Sequence, residues 1–196
     1  MIELAINLET IYPGIDFCDK IRGVHQAGFN AIEFWGWQDK KLTQVKAVCG
    51  ELGVKVQAVS GTGSCSLCDR THRKEYIDWI QRSIQAAKKL ECSNLILFPN
   101  HFTPSGCADF RDQYSHEAMI ANVTGTLTQL VPILEKAGVT VLLEPLCNVG
   151  ADRGMSVTDT SVGADIVRAV DSPNVRLLCD VYHMQIMHGN LLQHIN

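Results

Sequence analysis

The chain reads as an α/β protein of the (β/α)8-barrel type, of which it carries the first six βα units. Three observations predict this. Helix-like stretches that close on Gly or a polar turn alternate with short strands along the 196 residues. The strands are near-continuous apolar runs, the pattern of parallel strands covered on both faces. No G-x-G-x-x-G follows the first strand and no G-x-x-x-x-G-K-[ST] occurs anywhere, which removes the main signatures of an open nucleotide-binding sheet.

Each element has its own reason. The opening strand is expected over Ile2 to Asn7. Phe17, Ile21 and Val24 space a helix, and Gln26-Ala-Gly28 ends it before Phe29-Asn-Ala-Ile-Glu-Phe34. Val45, Val48 and Leu52 mark the next helix, then Gly53 and Val54-Lys-Val-Gln-Ala-Val-Ser60. Tyr76, Ile77, Ile80, Ile84 and Leu90 mark a third, before Leu95-Ile-Leu-Phe98. Met119, Ile120, Val123, Leu127, Leu130 and Leu134 mark a fourth, with Pro132 expected to kink it or end it early. Gly138 and Val139-Thr-Val-Leu-Leu-Glu144 follow. Ile166, Val167 and Val170 mark a fifth helix, with Thr158 or Asp159 as its cap, before Val175-Arg-Leu-Leu-Cys-Asp180. The sixth starts at Tyr182, is interrupted near Gly189-Asn190, and resumes toward Leu191-Leu-Gln-His-Ile-Asn196. Gly28, Gly53 and Gly138 suit the left-handed position that ends a helix.

Composition narrows the function classes. The 17 basic and 21 acidic residues give a net charge of −4, so the electrostatic footprint of a nucleic-acid binder is missing. No apolar run approaches the ~20 residues of a membrane span, and the first residues, with Glu3 and Glu9, lack the basic start of a secretory signal. The expected setting is cytoplasmic, where the eight cysteines are free thiols; Cys65-Ser-Leu-Cys68 lacks the second pair that a zinc site requires.

In a barrel the chemistry sits at the C-terminal strand ends. Those positions hold Asn7 and Glu9; Glu33, Trp35 and Trp37; Ser60; Asn100 and His101; Glu144; and Asp180, with His183 three residues on. A carboxylate ending a buried strand is costly unless paired, hydrogen-bonded or metal-bound. Glu144 and Asp180 repeat that situation on successive strands, and hard oxygen donors suit Mg2+ or Mn2+. Taken singly, Glu144 equally suits a pairing with a basic side chain, Asp180 a helix cap, and His183 a packed imidazole; their shared rim favours a site. Glu33 reads as support for a neighbouring loop, Trp35 and Trp37 as pocket wall or packing, and His101 as a pocket residue. His25, His72, His101, His116, His188 and His194 show no ligand spacing among themselves.

Val141-Leu-Leu-Glu-Pro-Leu146 together with Val175-Arg-Leu-Leu-Cys-Asp-Val-Tyr-His-Met-Gln-Ile-Met-His-Gly-Asn190 resembles the hydroxypyruvate isomerase family, within the xylose isomerase-like TIM barrels. Gly28-Phe-Asn-Ala-Ile-Glu-Phe34 extends the resemblance more loosely to the front of the chain. The resemblance implies isomerisation of a small hydroxycarbonyl substrate, a sugar or hydroxy-keto acid, through an enediolate. It implies a divalent cation, Mg2+ or Mn2+, with Glu144 as metal ligand and acid/base, Asp180 as metal ligand and His183 as a hydrogen-bonding partner of the substrate. The family adds a Gln or His and a second Glu from strands seven and eight, for which this chain has no counterpart. At about 35 residues per βα unit, the full barrel needs about 260 residues. The expectation is therefore a single domain over 1–196, incomplete at its C-terminus, with two open sheet edges through which copies associate. Endonuclease IV-like AP endonucleases share the strand-five Glu and the D-x-x-H, but need histidines at the ends of strands three and four, where this chain has Ser60 and only a displaced His101. An inactive fragment or pseudoenzyme is the third reading.

Overall fold

The computed structural model describes residues 3–104, 106–148 and 154–192. The expected start of the first strand at Ile2, and the end of the last helix with His194, lie outside the described residues. Six strands follow one another in the sheet in the order β1-β2-β3-β4-β5-β6, each succeeded in sequence by a helix. The chain groups into two compact units, Met1–Gly61 with Gln81–Leu95, and Thr62–Ile80 with Ile96–Asn196.

In the first unit, β1 (Ile6–Asn7), β2 (Ala31–Phe34) and β3 (Lys55–Ser60) pair in parallel. Ile6 lies opposite Ile32, and Asn7 opposite Glu33. The β2–β3 register slips at Ile32/Glu33, so Gln57 is the extra residue of a bulge. Helix α1 (Phe17–Gln26) starts on Asp16, whose carboxylate accepts the Cys18 N–H at 2.9 Å, and buries Ile21 and Val24. It also buries Lys20, whose ammonium donates to the Leu8 carbonyl at 2.9 Å, so the charge enters the interior with an acceptor. Gly28 follows the α1 cap with φ 90°, and Gly53 closes α2 (Leu42–Leu52) at φ 66°, both in the left-handed region where a Cβ is strained.

In the second unit, Val141, Leu142 and Leu143 of β5 (Thr140–Leu143) pair with Val175, Arg176 and Leu177 of β6 (Val175–Leu177), also in parallel. α3 (Arg73–Lys89) and β4 (Asn94–Leu97) precede them in sequence, and each belongs partly to both units. Helix α4 (His116–Ala137) is capped by Ser115 and ends on Gly138 at φ 67°. It runs unbroken through Pro132, contrary to the expected break: Leu127, Leu130 and Leu134 are fully buried on both sides of the proline, and that burial outweighs one lost backbone hydrogen bond. Asp159, not Thr158, caps α5 (Thr160–Val170), accepting the Ser161 N–H at 2.6 Å. No helix among the described residues is long and apolar enough to cross a membrane.

Candidate active site

The site is built from two strand ends in the second unit. The Glu144 N–H, just past β5, donates to the Leu97 carbonyl at 3.0 Å, so its position is fixed by the sheet ladder. Its side chain is buried. One strand on, the Leu178 N–H donates to the Leu143 carbonyl at 2.9 Å, and the chain turns into α6 (Val181–Met187) at Asp180. Asp180 Oδ1 accepts the N–H groups of Tyr182 at 2.7 Å and His183 at 3.4 Å, a helix cap. That first turn delivers the imidazole: His183 Nε2 stands 3.8 Å from Glu144 Oε1 and 3.8 Å from Asp180 Oδ2. Ligand atoms of Glu144, Asp180 and His183 all lie within 4.8 Å of one another.

The donor set fits a hard divalent cation. Glu144 and Asp180 would hold such an ion, with His183 beside it. The two carboxylates carry the charge such an ion requires.

The other ring nitrogen of His183 faces Cys147, three residues beyond Glu144. The Cys147 N–H donates to Nδ1 at 3.3 Å, and the Cys147 sulfur lies 3.0 Å from the same atom. The sequence carried no signal for this contact, because the partners are 36 residues apart. The same loop supplies an apolar flank, in which Leu146 and Met155 pack with Ala108, Phe98 and Phe102.

The remaining rim residues play other parts. Asn100 is fully buried and serves as a hub: its Oδ1 accepts from the Ser156 N–H at 2.8 Å and the Ser156 hydroxyl at 2.7 Å, and its amide donates to the Asp109 carbonyl at 3.0 Å. The His101 N–H donates to Ser66 Oγ at 2.6 Å and to Asp109 Oδ1 at 3.1 Å, while the Ser66 hydroxyl itself donates to Asp109. His101 is thus anchored through its backbone and does not join the Glu144 group. Burial pushes the Asp109 carboxyl up, against the hydrogen bonds from Ser66 and His101.

In the first unit, Glu33 Oε1 accepts from the side-chain amide of Asn7 on β1 at 3.0 Å. Lys40 pairs with Glu9 at 2.9 Å. Trp37 donates to Ser83 at 3.0 Å, whereas Trp35 is exposed. In the second unit, burial pushes the Cys68 thiol up to about 12, the reverse of an activated redox cysteine.

Against known proteins, the pattern of the xylose isomerase-like TIM barrel family matches residues 21–195. The chain belongs to this family. Among relatives in sequence, it is 24% identical to the hydroxypyruvate isomerase of Escherichia coli, over 97% of this chain and 73% of that protein. It is 22% identical to the 2-oxo-tetronate isomerase of Pectobacterium atrosepticum, over 100% and 74% respectively. Among solved structures, the family 2 AP endonuclease of Brucella melitensis superposes with a TM-score of 0.87 at 21% identity, over 100% of this chain and 74% of that one. That likeness carries the xylose isomerase-like fold. The chain spans about three quarters of the length of each of these proteins.

Proposed function

We propose that this xylose isomerase-like chain isomerises a small 2-hydroxycarbonyl compound, a hydroxy-keto acid or sugar of the hydroxypyruvate kind, with a divalent cation. The observation that carries the reading is the convergence of Glu144, Asp180 and His183 within 4.8 Å at the ends of β5 and β6. The names of the E. coli and P. atrosepticum relatives support the same reaction class.

The chemistry follows from the residues. Glu144 and Asp180 would hold Mg2+ or Mn2+, which when bound supplies positive charge beside the two substrate oxygens. Glu144 acts as general base and takes the proton from the hydroxyl-bearing carbon. The C–H electron pair becomes the new C=C bond, and the carbonyl π pair moves onto its oxygen, giving an enediolate. Glu144 returns the proton to the former carbonyl carbon, the adjacent C–OH becomes the new C=O, and the hydroxyl proton passes to the former carbonyl oxygen, which completes the isomerisation with no net proton, oxidant or reductant consumed. His183, held 3.8 Å from both carboxylates, donates to a substrate oxygen as its negative charge grows. Burial of Glu144 keeps bulk water from competing for the proton.

The test is an assay with hydroxypyruvate and either Mg2+ or Mn2+. Turnover that disappears with chelator and returns with metal supports the reading. Absence of turnover, together with cleavage of a duplex containing an abasic site, would replace it with the endonuclease reading.

A further inference from the structure

We propose that Cys147 is a positioning residue that fixes the tautomer of His183. A neutral imidazole has one N–H and one lone pair, and the partner of one nitrogen decides the state of the other. Nδ1 of His183 meets two groups of a single residue: it accepts the Cys147 N–H at 3.3 Å, and the Cys147 sulfur lies 3.0 Å away. A protonated Nδ1 would leave that buried backbone N–H facing another N–H, at the cost of an unmade hydrogen bond. Nδ1 is therefore the acceptor, and the ring proton sits on Nε2.

Nε2 is the atom equidistant from Glu144 and Asp180. With its proton there, the imidazole meets the site as a hydrogen-bond donor and offers no lone pair to a cation. The carboxylates then hold the metal, and His183 serves the substrate oxygens. Cys147 is well placed to enforce this because it is itself buried, and its segment is tied down by the Leu146 N–H donating to the Val157 carbonyl at 3.0 Å. The backbone donor sets the tautomer, and the sulfur in contact with the same nitrogen holds the ring plane. The kinetic part of the proposal rests on the isomerase reading above; the tautomer does not.

The experiment is long-range proton–nitrogen NMR of the full chain labelled with 15N-histidine, at a pH where the ring is neutral, with the His183 signals assigned by their loss in His183→Gln. The expected result is an Nε2–H imidazole, in wild type and in Cys147→Ser. Cys147→Val, which keeps the backbone donor but removes the thiol, is expected to keep the Nε2–H tautomer with a broadened, less fixed ring signal. It should also lower kcat about tenfold with little change in KM, while Mn2+ affinity by calorimetry stays at the wild-type value and Cys147→Ser restores the rate. An Nδ1–H ring in wild type overturns the proposal. So does a Cys147→Val protein matching wild type in both ring line width and kcat. A chain inactive on every hydroxycarbonyl substrate, yet showing the Nε2–H ring, overturns the isomerase reading and leaves the tautomer assignment standing.

Discussion

Asp180 divides its carboxylate between two tasks around His183: Oδ1 accepts the His183 backbone N–H at 3.4 Å, while Oδ2 faces the same residue's Nε2 at 3.8 Å. The cap and the site are thus separable by substitution. Asn is as good an N-cap as Asp but carries no charge. Asp180→Asn should lose metal-dependent turnover with a melting temperature close to wild type. Asp180→Ala should lose turnover and about 1 kcal/mol of stability as well. Thermal denaturation beside the assay separates the two.

Asn100 is a hub that the interior cannot lose cheaply. Replacing it by Leu strands the Ser156 N–H and the Asp109 carbonyl in a buried setting. The expected cost is about 2–4 kcal/mol, read as a lower urea midpoint with an unchanged m-value.

Tyr76 gives the opposite sign. Its ring is buried in the core, its hydroxyl has no hydrogen-bond partner among the described residues, and burial pushes its ionisation far up. Tyr76→Phe removes an unsatisfied polar group without changing the packed ring. It should leave the melting temperature unchanged or raise it, with a gain of up to about 1 kcal/mol.

The Asp69–His72 pair should give stability a pH window. The 2.5 Å hydrogen bond to Asp69 raises His72 above its ordinary value. Burial pushes Asp69 up, but hydrogen bonds from Thr71 and His72 outweigh it and leave the carboxyl below its ordinary value. The His72 contribution is complete below about pH 6.5 and fades as pH rises through the raised value. The Asp69 contribution is complete above about pH 4 and fades as pH falls through the lowered one. The melting-temperature gap between wild type and His72→Gln should therefore be widest near pH 5.5 and narrow on the alkaline side.

Much of this was legible in the sequence, and the exceptions have physical causes. Apolar runs ending in Glu144 and Asp180 announced β5 and β6 and pointed to the candidate site, because a carboxylate that closes an apolar run needs a reason. Gly53 and Gly138 announced helix ends through backbone sterics alone. Pro132 misled, since local propensity does not register the buried leucines that hold α4 together across it. Among the described residues the first strand is shorter than its apolar pattern: Leu4 is 65% exposed and only Ile6–Asn7 pair. The roles of Asn100 and Cys147 were not legible, because their partners lie 56 and 36 residues away and only the folded chain brings them together.

The central claim is that Glu144 removes a carbon-bound proton from a hydroxycarbonyl substrate. Its most direct measurement is proton NMR of hydroxypyruvate in D2O with Mg2+ or Mn2+, following deuterium entry at the hydroxyl-bearing carbon beside the carbonyl. Wild type should accelerate exchange over the metal-only background, and Glu144→Gln should fall to that background. Exchange by Glu144→Gln at the wild-type rate would contradict the assignment.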